Sequence, residues 1–167
     1  RIKGYIDRGV EEGADLVVDG RDISISGYEA GCFVGATVFD RVTSEMDIYR
    51  DEIFGPVLSV VRVDNYEEAL KLVNDHEYGN GTAIFTRDGD TARDFANRVN
   101  VGMVGINVPI PVPLAYHTFG GWKKSVFGDL NQHGPDAFKF YTRTKTVTSR
   151  WPSGTKEGGE FSIPVME

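Results

Sequence analysis

The sequence predicts an α/β fold built on a parallel sheet, and two observations support this prediction. From residue 56 to residue 107, short apolar segments alternate with amphipathic ones in the order strand, helix, strand, helix, strand. Parallel strands joined by right-handed helical crossovers produce this order. The second observation is composition: 167 residues with 40% hydrophobic and 26% charged residues are typical of one compact globular domain.

The N-terminal third predicts one helix followed by two extended segments. RIKGYIDRGVEEG has helical periodicity, and Gly13 supplies a stop. DLVV then predicts a short buried strand that ends in the turn Asp19-Gly20. A second extended stretch is expected in GCFVGATVF. The apolar stripe of the helix consists of Ile2, Tyr5, Ile6 and Val10.

The central alternation begins at Pro56 with PVLSVVRV, which is apolar on both faces and therefore typical of a central strand. The next segment predicts a helix whose capping box is either Asp64 with Glu67 or Asn65 with Glu68. A strand is expected in TAIFTRD, a helix in DTARDFANRV and a strand in MVGIN. The residues expected to face inward are Ala69, Leu70 and Val73 in the first helix and Ala92, Phe95, Ala96 and Val99 in the second.

A long loop is predicted after MVGIN, because Pro109, Pro111 and Pro113 exclude a helix and hold the backbone extended. The loop is too aromatic for a flexible linker, and we expect it to line a site. HGPDAFKFY then predicts a short helix with Pro135 in its first turn. The aromatic residues of the loop are Tyr116, Phe119, Trp122 and Phe127.

Composition argues against several function classes. A formal net charge of -7 and a pI of about 5.0 give no electrostatic reason to expect nucleic acid or an anionic membrane as a partner. A single cysteine excludes an intramolecular disulfide, and the paired Cys/His spacings of a zinc site are missing, so no metal is expected. Since no apolar run approaches the roughly 20 residues of a membrane span, we expect a cytoplasmic protein, or a mitochondrial-matrix protein if the source is eukaryotic.

The stretch DEIFGPVL contains the strongest site candidates. Gly55 precedes proline and is biased to an extended conformation; if residues 52–54 are extended too, Glu52 and Phe54 face the same side. Such a pair suits a nucleoside, because a carboxylate accepts from both ribose hydroxyls and a flat ring supports a flat heterocycle. The alternative is a solvated acid beside a core phenylalanine.

Other chemically active side chains are weaker candidates. Cys32 lies in an apolar stretch without a neighbouring base, so we interpret it as a small buried hydrophobe. Lys123 and Lys124 could meet a phosphate or a substrate carboxylate, although paired loop lysines are more often solvated. Neither GxGxxG nor GxxxxGK[ST] occurs, so no pyrophosphate cradle is encoded. The histidines are scattered and suit polar roles in loops or at helix ends: His76, His117 and His133.

Stretches along nearly the whole chain resemble the aldehyde dehydrogenases in collinear order. They are GYIDRGVEEGADLVVDG, EIFGPVLSV, YGNGTAIFTRD, VGMVGIN, TFGGWKKS and TKTVT. Within that family, NVPIPVPL, FGGWKKSVFGDL and FYTRTKTVTSRW are similar to the CoA-acylating branch. The resemblance implies the NAD-dependent conversion of methylmalonate or malonate semialdehyde to propionyl-CoA or acetyl-CoA with loss of CO₂, coenzyme A being a co-substrate. It leaves open the preferred semialdehyde and whether the pathway is valine or inositol breakdown.

The resemblance also implies residue roles. Glu52 would hold the nicotinamide ribose of NAD, Phe54 would contact the nicotinamide, and Phe119 would line the aldehyde tunnel. The nucleophilic cysteine and its oxyanion-hole asparagine belong to upstream motifs of the family that this sequence does not contain. No catalytic residue is therefore assigned, and the chain alone is expected to be inactive.

The resemblance further implies a division of the chain. Residues 1–141 would form the C-terminal part of a parallel-sheet catalytic domain, residues 142–151 an oligomerisation strand of a homodimer or homotetramer, and residues 152–167 a C-terminal tail. Two alternatives stay open: a non-catalytic α/β binding or assembly module, and a different NAD-dependent aldehyde dehydrogenase.

Overall fold

The computed structural model describes residues 1–149 and 151, and the chain is mixed α/β over that range. The elements follow one another as α1 Ile2–Glu11, β1 Asp15–Val18, β2 Thr37–Asp40, α2 Asp47–Arg50, β3 Val57–Ser59, α3 Tyr66–Asp75, β4 Tyr78–Gly79, β5 Gly81–Ile84, α4 Gly89–Arg98, β6 Met103–Ile106, β7 Trp122–Lys123 and α5 Ala137–Tyr141, with a 3₁₀ turn at Gly134–Asp136 before α5.

The strands form three small sheets within the described residues. β2 pairs with β3, and β5 with β6, both in parallel, which agrees with the predicted α/β class. β1 pairs with β2 antiparallel, and β4 pairs with β7 antiparallel. The two parallel pairs are not joined into one sheet, unlike the single parallel sheet that the alternation suggested.

Two predicted strands form but are less buried than predicted. β1 lies at one edge of the three-stranded sheet, and Val17 is 62% exposed. β3 lies at the other edge, and Leu58 is 60% exposed. The predictions of a buried DLVV strand and a central PVLSVVRV strand were therefore wrong, because within the described residues each strand has a hydrogen-bonded neighbour on one side only.

The first hydrophobic core lies between α1, α2 and the β1–β2–β3 sheet. Ile6 and Phe39 are fully buried, and Ile48 is 4% exposed. α1 approaches the sheet closely at Gly9, where an added Cβ would stand 2.9 Å from Phe39 Cζ. The predicted helix and its stop at Gly13 are confirmed, except that Val10, the last member of the stripe, is 44% exposed.

The second core joins α3 and α4, with Leu70 and Phe95 at its centre. Of the two capping boxes considered for α3, the structure contains the second: Glu68 N donates to Asn65 Oδ1 at 3.0 Å, and Asn65 Nδ2 donates to Glu68 Oε1 at 2.8 Å. The inward stripes are confirmed except at Ala96, which is exposed.

The segment between β6 and α5 runs without a helix from residue 107 to residue 133, as the prolines predicted. At Gly120 this segment folds back against Gly102, the residue before β6, where an added Cβ on Gly102 would stand 2.5 Å from Gly120 Cα. β7, within this segment, pairs with β4. The predicted short helix is confirmed, with Pro135 in the 3₁₀ turn before α5.

Cys32 contradicts its prediction. The strand expected in GCFVGATVF begins only at Thr37, and Cys32 lies exposed in the preceding loop. Gly31 and Gly35 flank this part of the loop, and the antiparallel partner β1 ends at Val18, so no neighbouring strand covers it.

The C-terminal region bears on the predicted oligomerisation strand. Residues 142–149 are exposed and form no strand in this single chain, and the strand stays a prediction because it requires a partner. The predicted tail, residues 152–167, lies outside the described residues. Among the helices of residues 1–149, none has the length and apolar character needed to cross a bilayer.

Candidate functional site

The turn between α2 and β3 presents the two predicted cofactor-binding residues on its outer side. Ile53 is 8% exposed and anchors the turn in the first core. Its neighbours Glu52 and Phe54 are both exposed, the phenylalanine by 82%. An outward, inward, outward order of side chains therefore leaves a carboxylate and an aromatic ring available to a ligand.

The backbone of this turn is not fully extended, so the condition under which the sequence places Glu52 and Phe54 on the same side is not met. Phe54 has φ +55°, a left-handed conformation that a bulky side chain rarely adopts. The turn is pressed onto α1, since a Cβ at Gly55 would stand 2.6 Å from Ile2 Cδ1. Backbone strain of this kind costs about 1–3 kcal/mol and tends to cluster at functional sites.

Helix α1 holds the turn from the other side. Tyr5 Oη donates to Asp51 Oδ2 at 2.9 Å, and this hydrogen bond raises the pKa of Tyr5. Asp47 N, at the start of α2, donates to both carboxylate oxygens of Glu12, at 3.1 and 3.0 Å. Contacts from α1 and its C-cap thus fix the start of α2 and Asp51, the residue before Glu52.

Glu52 lines a cavity of about 380 Å³ between α2, the C-terminal end of α3 and the paired strands β4 and β7. Phe54 does not line it. Among residues 1–149 and 151, no side chain forms an ion pair with the Glu52 carboxylate. The walls of this cavity also include Tyr49, His76, Tyr78, Asn80, Lys124 and Ser125.

Phe119 lies in an adjoining cavity of about 200 Å³. The phenylalanine is half-buried, and its ring centroid is 4.3 Å from that of His133. Asn80 and Ser125 line both this cavity and that of Glu52. Hence the structure brings the predicted substrate-side residue and the predicted ribose-side residue to neighbouring cavities with a shared wall.

The remaining aromatic residues of the loop do not enclose a site in the described chain. Trp122 borders an open depression of about 730 Å³, and it is 52% exposed. Tyr116 is 63% exposed and Phe127 97% exposed. Of the four aromatic residues of the loop, Phe119 is the one that lines a cavity beside that of Glu52 in the described chain.

The two lysines have distinct structural roles that the sequence did not reveal. Lys124 forms an ion pair with Glu77, which raises the pKa of Lys124 and lowers that of Glu77. The Lys123 ammonium donates to three carbonyl oxygens at the C-terminal end of α3: Val73 at 3.2 Å, Asn74 at 2.9 Å and His76 at 2.9 Å. Lys123 is therefore not simply solvated.

His76 and the pair Asn80 and Ser125 belong to this site although the sequence did not assign them to it. His76 occupies the C-cap of α3, in agreement with the predicted helix-end role. Ser125 Oγ accepts from Gly79 N at 2.9 Å. In the part of the chain that the structure describes, no three His, Cys, Asp or Glu side chains converge as a metal site.

Comparisons with known proteins agree with the resemblance. Residues 1–147 match the aldehyde dehydrogenase family. The chain is 61% identical over 167 residues to a malonate-semialdehyde dehydrogenase of Pseudomonas aeruginosa, covering 99% of this chain and 34% of that protein. It is 50% identical over 151 residues to malonate-semialdehyde dehydrogenase 1 of Oceanobacillus iheyensis, covering 90% of this chain and 31% of that protein.

Solved structures give the same result for the fold. A putative methylmalonate-semialdehyde dehydrogenase from Sinorhizobium meliloti, crystallised with NAD, is 71% identical with a TM-score of 0.85, covering 94% of this chain and 32% of that one. A methylmalonate-semialdehyde dehydrogenase from Oceanimonas doudoroffii is 59% identical with a TM-score of 0.84, covering 92% and 31%. The chain thus spans about a third of the length of the relatives it matches.

Proposed function

Because this chain belongs to the aldehyde dehydrogenase family, we propose that it supplies the nicotinamide end of the active site in an NAD-dependent, CoA-acylating oxidoreductase. The substrates are methylmalonate or malonate semialdehyde, and the products are propionyl-CoA or acetyl-CoA and CO₂. Sequence identity of 61% and 71% to relatives named for these two semialdehydes supports the substrate class. The names do not distinguish between the two substrates.

The observation that carries the proposal is the turn with exposed Glu52 and Phe54 on either side of buried Ile53. The Glu52 carboxylate, which lines a cavity and forms no ion pair with another described residue, can accept from two ribose hydroxyls. An exposed ring can lie against the flat face of a nicotinamide. The carboxylate and the aromatic ring therefore fit the nucleoside end of NAD.

When bound, NAD supplies the hydride acceptor, and the residues of this chain orient it. Glu52 fixes the ribose and so the position of the nicotinamide ring, which lowers the entropic part of the barrier. Phe119 shapes the aldehyde side of the adjoining cavity. Cys32 lines neither cavity, so the thiolate that attacks the aldehyde, and the acyl transfer to coenzyme A, are proposed to depend on segments outside these 167 residues.

The proposed division of the chain follows the same family relationship. Residues 1–141 form the C-terminal part of the catalytic domain, and residues 142–151 add a strand to the sheet of a neighbouring subunit in a homodimer or homotetramer. The exposure of residues 142–149 in the single chain supports a partner for this segment. We further propose that the enzyme acts in the cytoplasm, or in the mitochondrial matrix if eukaryotic, in valine or inositol breakdown.

The test is Glu52→Gln in the full-length enzyme. An amide accepts less well from two hydroxyls than a carboxylate does, so the KM for NAD should rise roughly tenfold, with turnover lowered. Glu11→Gln is the matched control, because Glu11 is also exposed, lies at the end of α1 and lines neither the Glu52 cavity nor the Phe119 cavity. Steady-state rates of NADH formation against NAD concentration measure both variants.

Unchanged NAD kinetics in Glu52→Gln, or equal effects of the two substitutions, would contradict the role of Glu52. For the 167-residue chain alone we expect no aldehyde-dependent NADH formation. Turnover by the isolated chain that survives Cys32→Ala would contradict the proposal that the nucleophile lies elsewhere.

A further inference from the structure

We propose that His76 is a positioning residue that holds the Glu52 turn in its NAD-binding orientation. The inference rests on the proposed function, since it concerns how Glu52 comes to face the cofactor. His76 follows α3 and lines the Glu52 cavity. Its side chain reaches the backbone of α2, the helix that leads into the turn.

The C-terminal end of α2 depends on donors from other parts of the chain. A helix leaves its last carbonyl groups without partners inside the helix, and α2 has only four residues. Two side chains supply donors: Ser59 Oγ donates to Ile48 O at 3.4 Å, and His76 Nε2 lies 3.4 Å from Tyr49 O. Three residues after Tyr49 stands Glu52, so the direction in which the chain leaves α2 sets the position of its carboxylate.

The hydrogen-bond partners of His76 determine its tautomer. Tyr78 N donates to His76 Nδ1 at 3.1 Å. Because a backbone amide can only donate, Nδ1 must be the acceptor and the ring proton must reside on Nε2. The Nε2–H group is thus oriented toward Tyr49 O, and one imidazole joins β4 to α2.

The imidazole of His76 is itself held rigidly. Its ring is T-shaped against Tyr49, with centroids 5.1 Å apart at 70°, and tilted against Tyr78 at 5.9 Å. The carbonyl of His76 accepts from Lys123 Nζ at 2.9 Å, which fixes the backbone that carries the ring. A side chain confined by two aromatic rings and an anchored backbone loses little further entropy when it holds a third element.

His76 lies between two cavities. His76, Tyr49 and Arg50 line both the Glu52 cavity and a second cavity of about 470 Å³ between α2 and α3. The imidazole therefore stands where α2 could shift toward α3. The Tyr5–Asp51 hydrogen bond holds the opposite side of the turn, and His76 completes a two-sided constraint on Glu52.

The experiment compares variants of the full-length enzyme by steady-state kinetics and thermal unfolding. His76→Leu fills the space between the two tyrosine rings but donates and accepts nothing, so the KM for NAD should rise roughly three- to tenfold, while the KM for the semialdehyde stays unchanged. His76→Gln retains a side-chain N–H that can reach Tyr49 O and should recover most of the NAD affinity.

Asn74→Ala is the matched structural control. Asn74 joins the same end of α3 to the C-terminal end of α4, by donating to Arg98 O at 3.0 Å and accepting from Asn100 N at 2.7 Å, and it does not line the Glu52 cavity. Its replacement should lower Tm and leave the KM for NAD unchanged. A general loosening of the α3 end is thereby separated from the loss of the imidazole.

Two results would overturn the inference: an unchanged KM for NAD in His76→Leu while Glu52→Gln raises it, or an equal rise in Asn74→Ala. In both, the proposed function would stand. By contrast, a wild-type enzyme that reduces no NAD with either semialdehyde would refute the proposed function itself.

Discussion

Replacing Lys123 by methionine tests whether strand β7 secures the C-terminal end of α3. The Lys123 ammonium donates to three carbonyl oxygens there, at 2.9 to 3.2 Å. The last turn of α3 contains no basic residue of its own. Methionine preserves much of the aliphatic length and removes the charge, so the substitution isolates the capping interaction.

The expected loss follows from these contacts. Cations near a helix C-terminus stabilise it by about 0.3–1 kcal/mol, and charge-assisted hydrogen bonds add to this, although one exposed ammonium shared by three acceptors does not give three full increments. We expect a total loss of about 1–2 kcal/mol. For a chain of this size the corresponding fall in Tm is about 3–6 °C.

Thermal unfolding of the 167-residue chain, followed by circular dichroism at neutral pH, measures the effect. Lys124→Met is the control: Lys124 is adjacent, carries the same charge and forms an exposed ion pair with Glu77, so its loss should leave Tm unchanged. In 1 M salt the Lys123→Met difference should shrink, because screening is strong at that ionic strength. Equal Tm values for the two variants would refute the reasoning.

The remaining predictions concern the site's backbone. Phe54→Gly should be more stable to thermal unfolding than Phe54→Ala by about 1 kcal/mol, because φ +55° disfavours any Cβ; equal stabilities would contradict the strain. Gly102→Ala places a Cβ 2.5 Å from Gly120 Cα, so it should cost about 1–3 kcal/mol and raise the full-length enzyme's KM for semialdehyde by displacing Phe119. Gly4→Ala, in open space, should cost nothing, and an equal loss there would refute this explanation.

Local signals predicted the helices well. The capping box of α3 could be predicted because Asn65 and Glu68 are three residues apart and satisfy each other within one helical turn. The stop at Gly13 was equally local, since its φ of +92° suits glycine. Where both partners of an interaction lie within a few residues, spacing alone carries the information.

Features that depend on distant partners could not be predicted in this way. Lys123 was interpreted as solvated because its acceptors lie 47 to 50 residues earlier. The sequence placed Glu52 and Phe54 on one side on the condition that residues 52–54 are extended, and it did not reveal the left-handed conformation that Phe54 adopts where Gly55 lies against Ile2. β1 was expected to be buried because DLVV is apolar. Apolar composition does not specify whether a strand has neighbours on one side or on both, and β1 pairs with β2.

The candidate site likewise combines features that local sequence predicts with features that depend on distant partners. The residue types and spacing of Glu52 and Phe54 indicated a nucleoside, and the resemblance supplied the role. The contribution of His76 depends on a contact with Tyr49, 27 residues earlier, and no motif records it. Likewise, the shared wall formed by Asn80 and Ser125 exists only once β4 and β7 pair.

A crystal structure of the full-length enzyme with NAD would test the central claim most directly, by measuring the distances from the Glu52 carboxylate oxygens to the nicotinamide ribose hydroxyls. Both hydroxyls should lie within about 2.5–3.0 Å of those oxygens, with the Phe54 ring against the nicotinamide. A bound cofactor whose ribose contacts other residues while Glu52 faces bulk water would contradict it.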